Sequence, residues 1–311
     1  MKNTNTSSTD FATPILYIVF NRLDYTEKSL AVLRELKPKK LYIAADGPRE
    51  SKPGENEIVA AVRKYVSENI DWECDVKTRF LNENQGCGKN ISGAVTWFFE
   101  QEKQGIILED DCIPDMSFFR FCAEMLERYR DDRRVYSVNG WSASQDGTAR
   151  GADYFFQRRM HCWGWATWAD RWLNKFQFDM SGYSKSIFKY IADMPNVRKE
   201  FEAVLENLKS DAPIDTWAYR WTFNIIAGRG LCVAPVKNLV SNIGITGAHY
   251  DDASDDPNLN TKTFDTYAAG LLRHPKSVKL NAAMERAVYD DHRPPPIDWA
   301  RLWRHLKWWR K

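Results

Sequence analysis

Ile106-Ile107-Leu108 runs straight into Glu109-Asp110-Asp111, three carboxylates at the end of an apolar stretch that begins at Gly105. Short apolar runs of this kind are buried strands, and open α/β sheets take their ligands in the crevice beyond the carboxyl ends of the strands. Three anions crowded at one strand end repel one another. A hard divalent cation, Mn2+ or Mg2+, relieves that repulsion through oxygen ligands and completes its shell with waters and substrate phosphates. The chemistry expected is therefore metal-assisted handling of a diphosphate. Taken alone, Glu-Asp-Asp also suits a solvated acidic turn, because most charge clusters are simply surface.

The elements that must position these carboxylates repeat one pattern. Residues 14–20 form an apolar run that ends in Asn21-Arg22, and 24–36 follow with Leu30, Leu33 and Leu36 at helical spacing. Residues 40–45 run into Asp46-Gly47; a helical stretch over 55–68 leads to a third strand, 76–81. The polar loop 82–90, containing Gly86-Cys87-Gly88-Lys89-Asn90, then precedes a helix reaching Phe99, and the carboxylate strand comes next. Alternating strands and helices predict a parallel sheet with polar residues delivered at one end. The fold class expected is α/β: a Rossmann-like mixed, mostly parallel sheet flanked by helices, with a short C-terminal amphipathic helix. The N–H groups of the glycine-rich loop and Lys89 could meet phosphate, or the loop could be a tight turn with Asn90 as a helix cap. Its spacing matches neither the P-loop nor the dinucleotide fingerprint.

Phe20-Asn21-Arg22, Ala45-Asp46-Gly47, Asn84-x-Gly86-x-Gly88-x-Asn90 and Ile107-Leu108-Glu109-Asp110-Asp111-Cys112-Ile113-Pro114-Asp115-x-x-Phe118-Phe119, in this order, resemble the nucleotide-diphospho-sugar transferases of the GT-A fold. The segment from Glu109 to Phe119 is most similar to the inverting N-acetylglucosaminyltransferase I type, in which Glu-Asp-Asp replaces the usual Asp-x-Asp. The resemblance implies jobs. Asp46 would accept from the N3–H of uracil or thymine, and Arg22 would face the diphosphate. Asp111 would hold the metal, with Asp110 near the ribose and Glu109 near the sugar hydroxyls; Lys89 and Asn90 would border the donor. Acceptor-only carboxylates suit N–H groups, hydroxyls and metals, and a guanidinium suits phosphate. From the residues alone, Arg22 could equally pair with Asp24, and Asp46 could be an ordinary Asp-Gly turn.

Beyond the carboxylates the chain turns aromatic, with His161-Cys162-Trp163-Gly164-Trp165-Ala166-Thr167-Trp168 and then Asp215-Thr216-Trp217 opening a helical segment. Tryptophan rings hold the apolar faces of sugars, and glycine lets backbone approach a ligand, so Trp163, Gly164, Trp165 and Trp217 are candidates for the sugar or acceptor site; they are equally suited to the core. In the resembled family an Asp beside a Trp is the catalytic base. Asp215 matches, although the family has two adjacent aspartates and this chain has Asp215-Thr216. The mechanism implied is a single, inverting displacement. His249, after Gly244 and Gly247, resembles the histidine that contacts metal or diphosphate; a structural histidine is the alternative.

A chain of 311 residues with no repeat or low-complexity linker fits one catalytic domain. The boundaries expected are a frayed tail over 1–13, a transferase domain over 14–275 and an extension over 276–311. The tail lacks the basic and apolar regions of a signal peptide, and six cysteines without metal or framework spacing fit free thiols, so a cytoplasmic location is expected. A net charge of +2 argues against nucleic acid as a partner. On a helix over 297–311, Trp299, Leu302, Trp303, Leu306 and Trp309 share one stripe flanked by Arg301, Arg304 and Lys311, which suits the inner membrane surface; docking on the domain or a dimer contact would use the same stripe. The partners expected are a nucleotide-diphosphate sugar, most simply a UDP-sugar, and a glycan acceptor, lipid-linked at that surface. The alternatives are a sugar-phosphate nucleotidyltransferase and a non-catalytic glycan-binding protein on a transferase fold.

Overall fold

The computed structural model describes residues 11–142, 151–244, 261–268 and 270–290. In chain order the elements are β1 (Ile15–Val19), α1 (Leu23–Leu36), β2 (Lys40–Ala45), α2 (Glu55–Glu68), β3 (Asp75–Phe80), α3 (Gly86–Phe99), β4 (Gln104–Glu109), β5 (Cys112–Pro114) and α4 (Met116–Arg128). There follow β6 (Val135–Asn139), β7 (Tyr154–Gln157), β8 (Trp165–Trp168), α5 (Ala169–Lys175), a 3-10 helix (Lys185–Ile191), α6 (Pro195–Leu208), α7 (Ala218–Ala227), β9 (Leu231–Pro235), β10 (Val240–Asn242) and α8 (Ala282–Asp290). Eight strands form one sheet in the order β3-β2-β1-β4-β8-β6-β9-β7, while β5 and β10 pair separately. Neighbours β3, β2, β1 and β4 are parallel, β6 is parallel to β9, and β8 and β7 run against their neighbours. This is the mixed, mostly parallel α/β sheet expected.

Alternation along the central strands explains the layers. Ile15, Tyr17 and Val19 of β1 pack with Leu30, Leu33, Val62 and Phe119 on one face, while Leu16 and Ile18 pack with Val95, Phe98 and Trp221 on the other. Both faces are covered, so β1 is buried along its whole length, as parallel strands under helices must be. Burying one such aliphatic side chain contributes roughly 1.5–3 kcal/mol. A third apolar cluster joins Phe188, Phe201 and Phe223 of the 3-10 helix, α6 and α7.

The topology decides where a ligand can sit. From β1 the chain moves outward to β2 and β3, and α3 then brings it back to β4 on the other side of β1. The strand order reverses between β1 and β4, and at such a switch point the connections diverge and leave a crevice at the carboxyl ends. Arg22 follows β1, and Glu109-Asp110-Asp111 ends β4.

At the margins, Phe11 of the expected tail bridges Pro38 and meets Phe119 edge-on at 5.8 Å. After the expected domain end, Glu285 of α8 is buried against Arg158: the Arg158 backbone N–H donates to Glu285 Oε1 at 2.6 Å and its Nε to Oε2 at 2.9 Å. Residues 297–311, where the amphipathic helix was expected, lie outside the described residues. No helix among the described residues is long and apolar enough to cross a membrane.

Candidate active site at the carboxyl ends of β1 and β4

Arg22 does not pair with Asp24. Its guanidinium bridges the carboxylate cluster, with Nη2 on Asp110 Oδ1 and Nη1 donating to Asp111 Oδ2 at 3.1 Å. Asp110 is buried, and its second oxygen, Oδ2, has no hydrogen-bond partner. Burial, opposed by the Arg22 charge, raises the pKa of Asp110 to about 7. For Glu109, burial and the neighbouring Asp111 charge outweigh Arg22 and raise the value to about 8. Burial alone would lower the pKa of Arg22, but Asp110 and Asp111 hold it above its ordinary value. Fully ionised, the three carboxylates would carry more negative charge than one arginine neutralises, and the cluster answers by holding protons.

That donor set fits a hard cation shared with a ligand. Asp111 is partly exposed beside Gly244, where a Cβ would stand 2.7 Å from Asp111 Oδ2, so the approach is kept open by the missing side chain. Among the described residues no group of three His, Cys, Asp or Glu side chains is arranged to hold a metal unaided. Ligand phosphates and water would have to complete the shell, which is how Mg2+-like ions usually bind. His249 lies outside the described residues.

The loop from Asn82 to the start of α3 differs from expectation. Gly86 to Asn90 are not a turn before the helix but its first turn, entered through Gly86 at a φ of +81° that a side chain would resist. Two carboxylates take the helix's leading N–H groups. Asp46 Oδ1 accepts from Gly47 N and Gln85 N, both at 2.9 Å, and Oδ2 from Gly86 N at 3.0 Å and Asn84 Nδ2 at 3.1 Å. Those four bonds fill the roughly four acceptor positions of a carboxylate. Asp46 therefore has none left for a nucleobase N3–H, and its role here is to shape the loop. Asn90 is also not a cap: buried within α3, it accepts from Arg79 Nη1 at 3.2 Å. Lys89 is exposed on the first turn of α3.

Asp215 is exposed at the same helix end. Its Oδ2 accepts from Cys87 N at 2.6 Å and Oδ1 from Gly88 N at 2.7 Å, which leaves about two acceptor positions facing outward. Two residues on, the Trp217 side chain lies close enough to Glu109 to hold its pKa down a little against burial. Trp217 itself is buried and stacked on Trp165, with ring centroids 5.2 Å apart, and Trp165 is core on β8, so neither ring is a free sugar platform. Gly164 also answers to packing rather than to a ligand: at φ +64° a Cβ would stand 2.8 Å from Val240 Cγ2. Trp163 is half-buried, edge-on to Trp141 at 5.4 Å. Three thiols converge on the carboxylates as well, with Cys112 Sγ 3.6 Å from Asp111 Oδ1. Burial and then the Glu109 charge push Cys87 well up, and burial, Glu109 and Asp111 push Cys162 to about 12.

Glu55 was missed from sequence. It is buried at the start of α2, accepts from Asn21 Nδ2 at 2.9 Å and Arg49 N at 2.7 Å, and so ties the ends of β1 and β2 together. Asn21 and Arg49, polar residues just past two strand ends, were the available signal.

No protein-family model and no curated protein sequence matches the chain. Among solved structures it is similar to the glycosyltransferase GlyE of Streptococcus pneumoniae TIGR4, at 11% identity and a TM-score of 0.34 over 72% of this chain and 45% of that one. It is similar to a UDP-glucose pyrophosphorylase complexed with UDP-glucose, at 8% identity and a TM-score of 0.36 over 72% and 90% of the two chains. The inositol-1-phosphate CTP transferase of T. maritima is similar at 7% identity and a TM-score of 0.34, over 72% and 86%. Likenesses this distant carry no weight for function, which rests on the chain's own site.

Proposed function

We propose that the chain is a metal-dependent, inverting glycosyltransferase that moves a sugar from a nucleotide-diphosphate sugar, a UDP-sugar, to a glycan acceptor. The observation that carries this reading is the carboxylate cluster at the switch point, bridged by one guanidinium and holding a buried, unpartnered Asp110 oxygen. A bound Mn2+ or Mg2+, with Asp111 and in this reading His249 as protein ligands, would stabilise charge on the leaving diphosphate. Arg22 turns its guanidinium from the carboxylates to the phosphate oxygens. Asp215 takes the acceptor hydroxyl's proton as that oxygen bonds to the anomeric carbon, and the carbon–oxygen bond to the diphosphate breaks with its electron pair leaving on the nucleotide. Attack opposite the leaving group inverts the anomeric centre. A lipid-linked acceptor at the cytoplasmic face of the membrane, met through residues 297–311, fits the same reading.

The nucleotidyltransferase class usually shows a glycine-rich, basic loop after the first strand, whereas here only residues 20–22 separate β1 from α1. The test is product release by the purified chain with Mn2+. UDP release from a UDP-sugar, slow without an acceptor and faster with one, supports the proposal. Pyrophosphate release from a nucleoside triphosphate and a sugar 1-phosphate would replace it with the nucleotidyltransferase. Ending the chain at Pro296 should abolish co-sedimentation with anionic liposomes; undiminished co-sedimentation removes the membrane element.

A further inference from the structure

A groove of about 450 Å³ runs along the outer face of α3, within the size range of small-ligand pockets. Lys89, Gly93, Trp97 and Glu100 of α3 form one side, and Phe176 and Phe178 face them. From Lys89 to Glu100 a helix rises about 16 Å. Its head lies one residue from Gly88, whose N–H donates to Asp215. The opposite wall is tied to that carboxylate's loop as well. Buried Arg220 donates through Nε to Thr216 O at 3.0 Å and through Nη1 to Phe178 O, and its guanidinium lies 4.1 Å from the centre of the Phe178 ring. Phe176 is locked by stacking on Trp172 at 4.0 Å. Both walls of the groove are thus tied to the segment that carries Asp215.

We propose that this groove receives the sugar chain of the acceptor, an inference that rests on the glycosyltransferase reading. Its lining suits a carbohydrate. The half-buried rings of Trp97, Phe176 and Phe178 offer apolar surface to the C–H faces of pyranoses, and the exposed Lys89 and Glu100 stand at the two ends to bond hydroxyls. A chain lying there would run toward the end of α3 at which Gly88 N–H donates to Asp215.

The test uses the full chain on an array of immobilised oligosaccharides, with Trp97→Ala and, because its side chain is exposed at the end of α3, Glu100→Ala. UDP affinity is measured in parallel by calorimetry with Mn2+. The groove predicts that a subset of glycans binds the wild type and that both variants lose at least about tenfold in signal with UDP affinity unchanged. Glycan binding unaffected by either variant, or no glycan bound by a wild type that binds UDP, overturns the groove while leaving the donor reading standing. Loss of phosphatidylcholine-vesicle binding in the variants, with glycan binding intact, assigns the groove to lipid and also overturns it. A wild type that binds glycans through the groove but not UDP would sink the glycosyltransferase reading alone.

Discussion

Glu109 and Asp110 stand closer to neutrality than carboxylates usually do, because burial costs them more than Arg22 returns. The sign of the consequence follows from linkage. A carboxyl whose folded pKa lies above its unfolded one keeps a proton that the open chain has lost, so its stabilisation is present at acid pH and fades as the pH climbs from 4.5 through about 8 for Glu109. The metal-free protein should therefore melt progressively lower between pH 5 and pH 8. Glu109→Gln should flatten part of that slope, because an amide does not titrate. A melting temperature that is level or rises over the same interval would show that the cluster is not strained by its own charge. Sequence made this cluster visible, since three carboxylates after an apolar run are conspicuous. It could not show that Asp46 spends acceptor positions on the Asn84 amide and on the Gln85 and Gly86 N–H groups, because that depends on how a loop 38 or more residues away returns to the strand end.

At the scale of elements, α3 and the segment before α7 make one unit through Asp215. The same carboxylate is proposed as the base and is seen to satisfy two leading N–H groups of the helix, so its removal has two separable effects. Asp215→Ala should cost about 1 kcal/mol of stability, the usual loss for a helix cap, and lower kcat by about 10²- to 10⁴-fold. Asp215→Asn, whose amide oxygen can still accept, should keep more of the stability and as little of the rate. Chemical denaturation and turnover on the same preparations check both; a stability loss with kcat retained above about a tenth leaves Asp215 a cap and nothing more. The strands and helices to β4 match the periodicity of the sequence closely, because the apolar spacing there is regular. The helix start at Gly86 does not, since a left-handed glycine and two distant carboxylates, rather than local propensity, set it. The tryptophans went the same way: Trp165 and Trp217 are core because β8 inserts between β4 and β6, an order that the sequence alone does not disclose.

For the molecule as a whole, the sheet supplies a crevice and the later segments close around it. The buried Arg158 is held by Glu285 from α8 and by Asp193, with Nη1 on Asp193 Oδ1 at 2.6 Å. Glu285→Gln should destabilise the chain by about 3 kcal/mol, because a buried guanidinium then loses one of its two partner charges, and lower Tm by roughly 5 °C. A change below about 1 °C would mean that α8 is not part of the cooperative unit. The central claim, that the crevice between β1 and β4 binds a nucleotide diphosphate through a cation on Asp111, is tested most directly by calorimetric titration of UDP into wild type and Asp111→Asn, each with and without Mn2+. The account predicts wild-type binding that requires Mn2+ and falls at least about tenfold in Asp111→Asn, since an amide is a poorer ligand for a hard cation. UDP affinity that is independent of both Mn2+ and the substitution would contradict it.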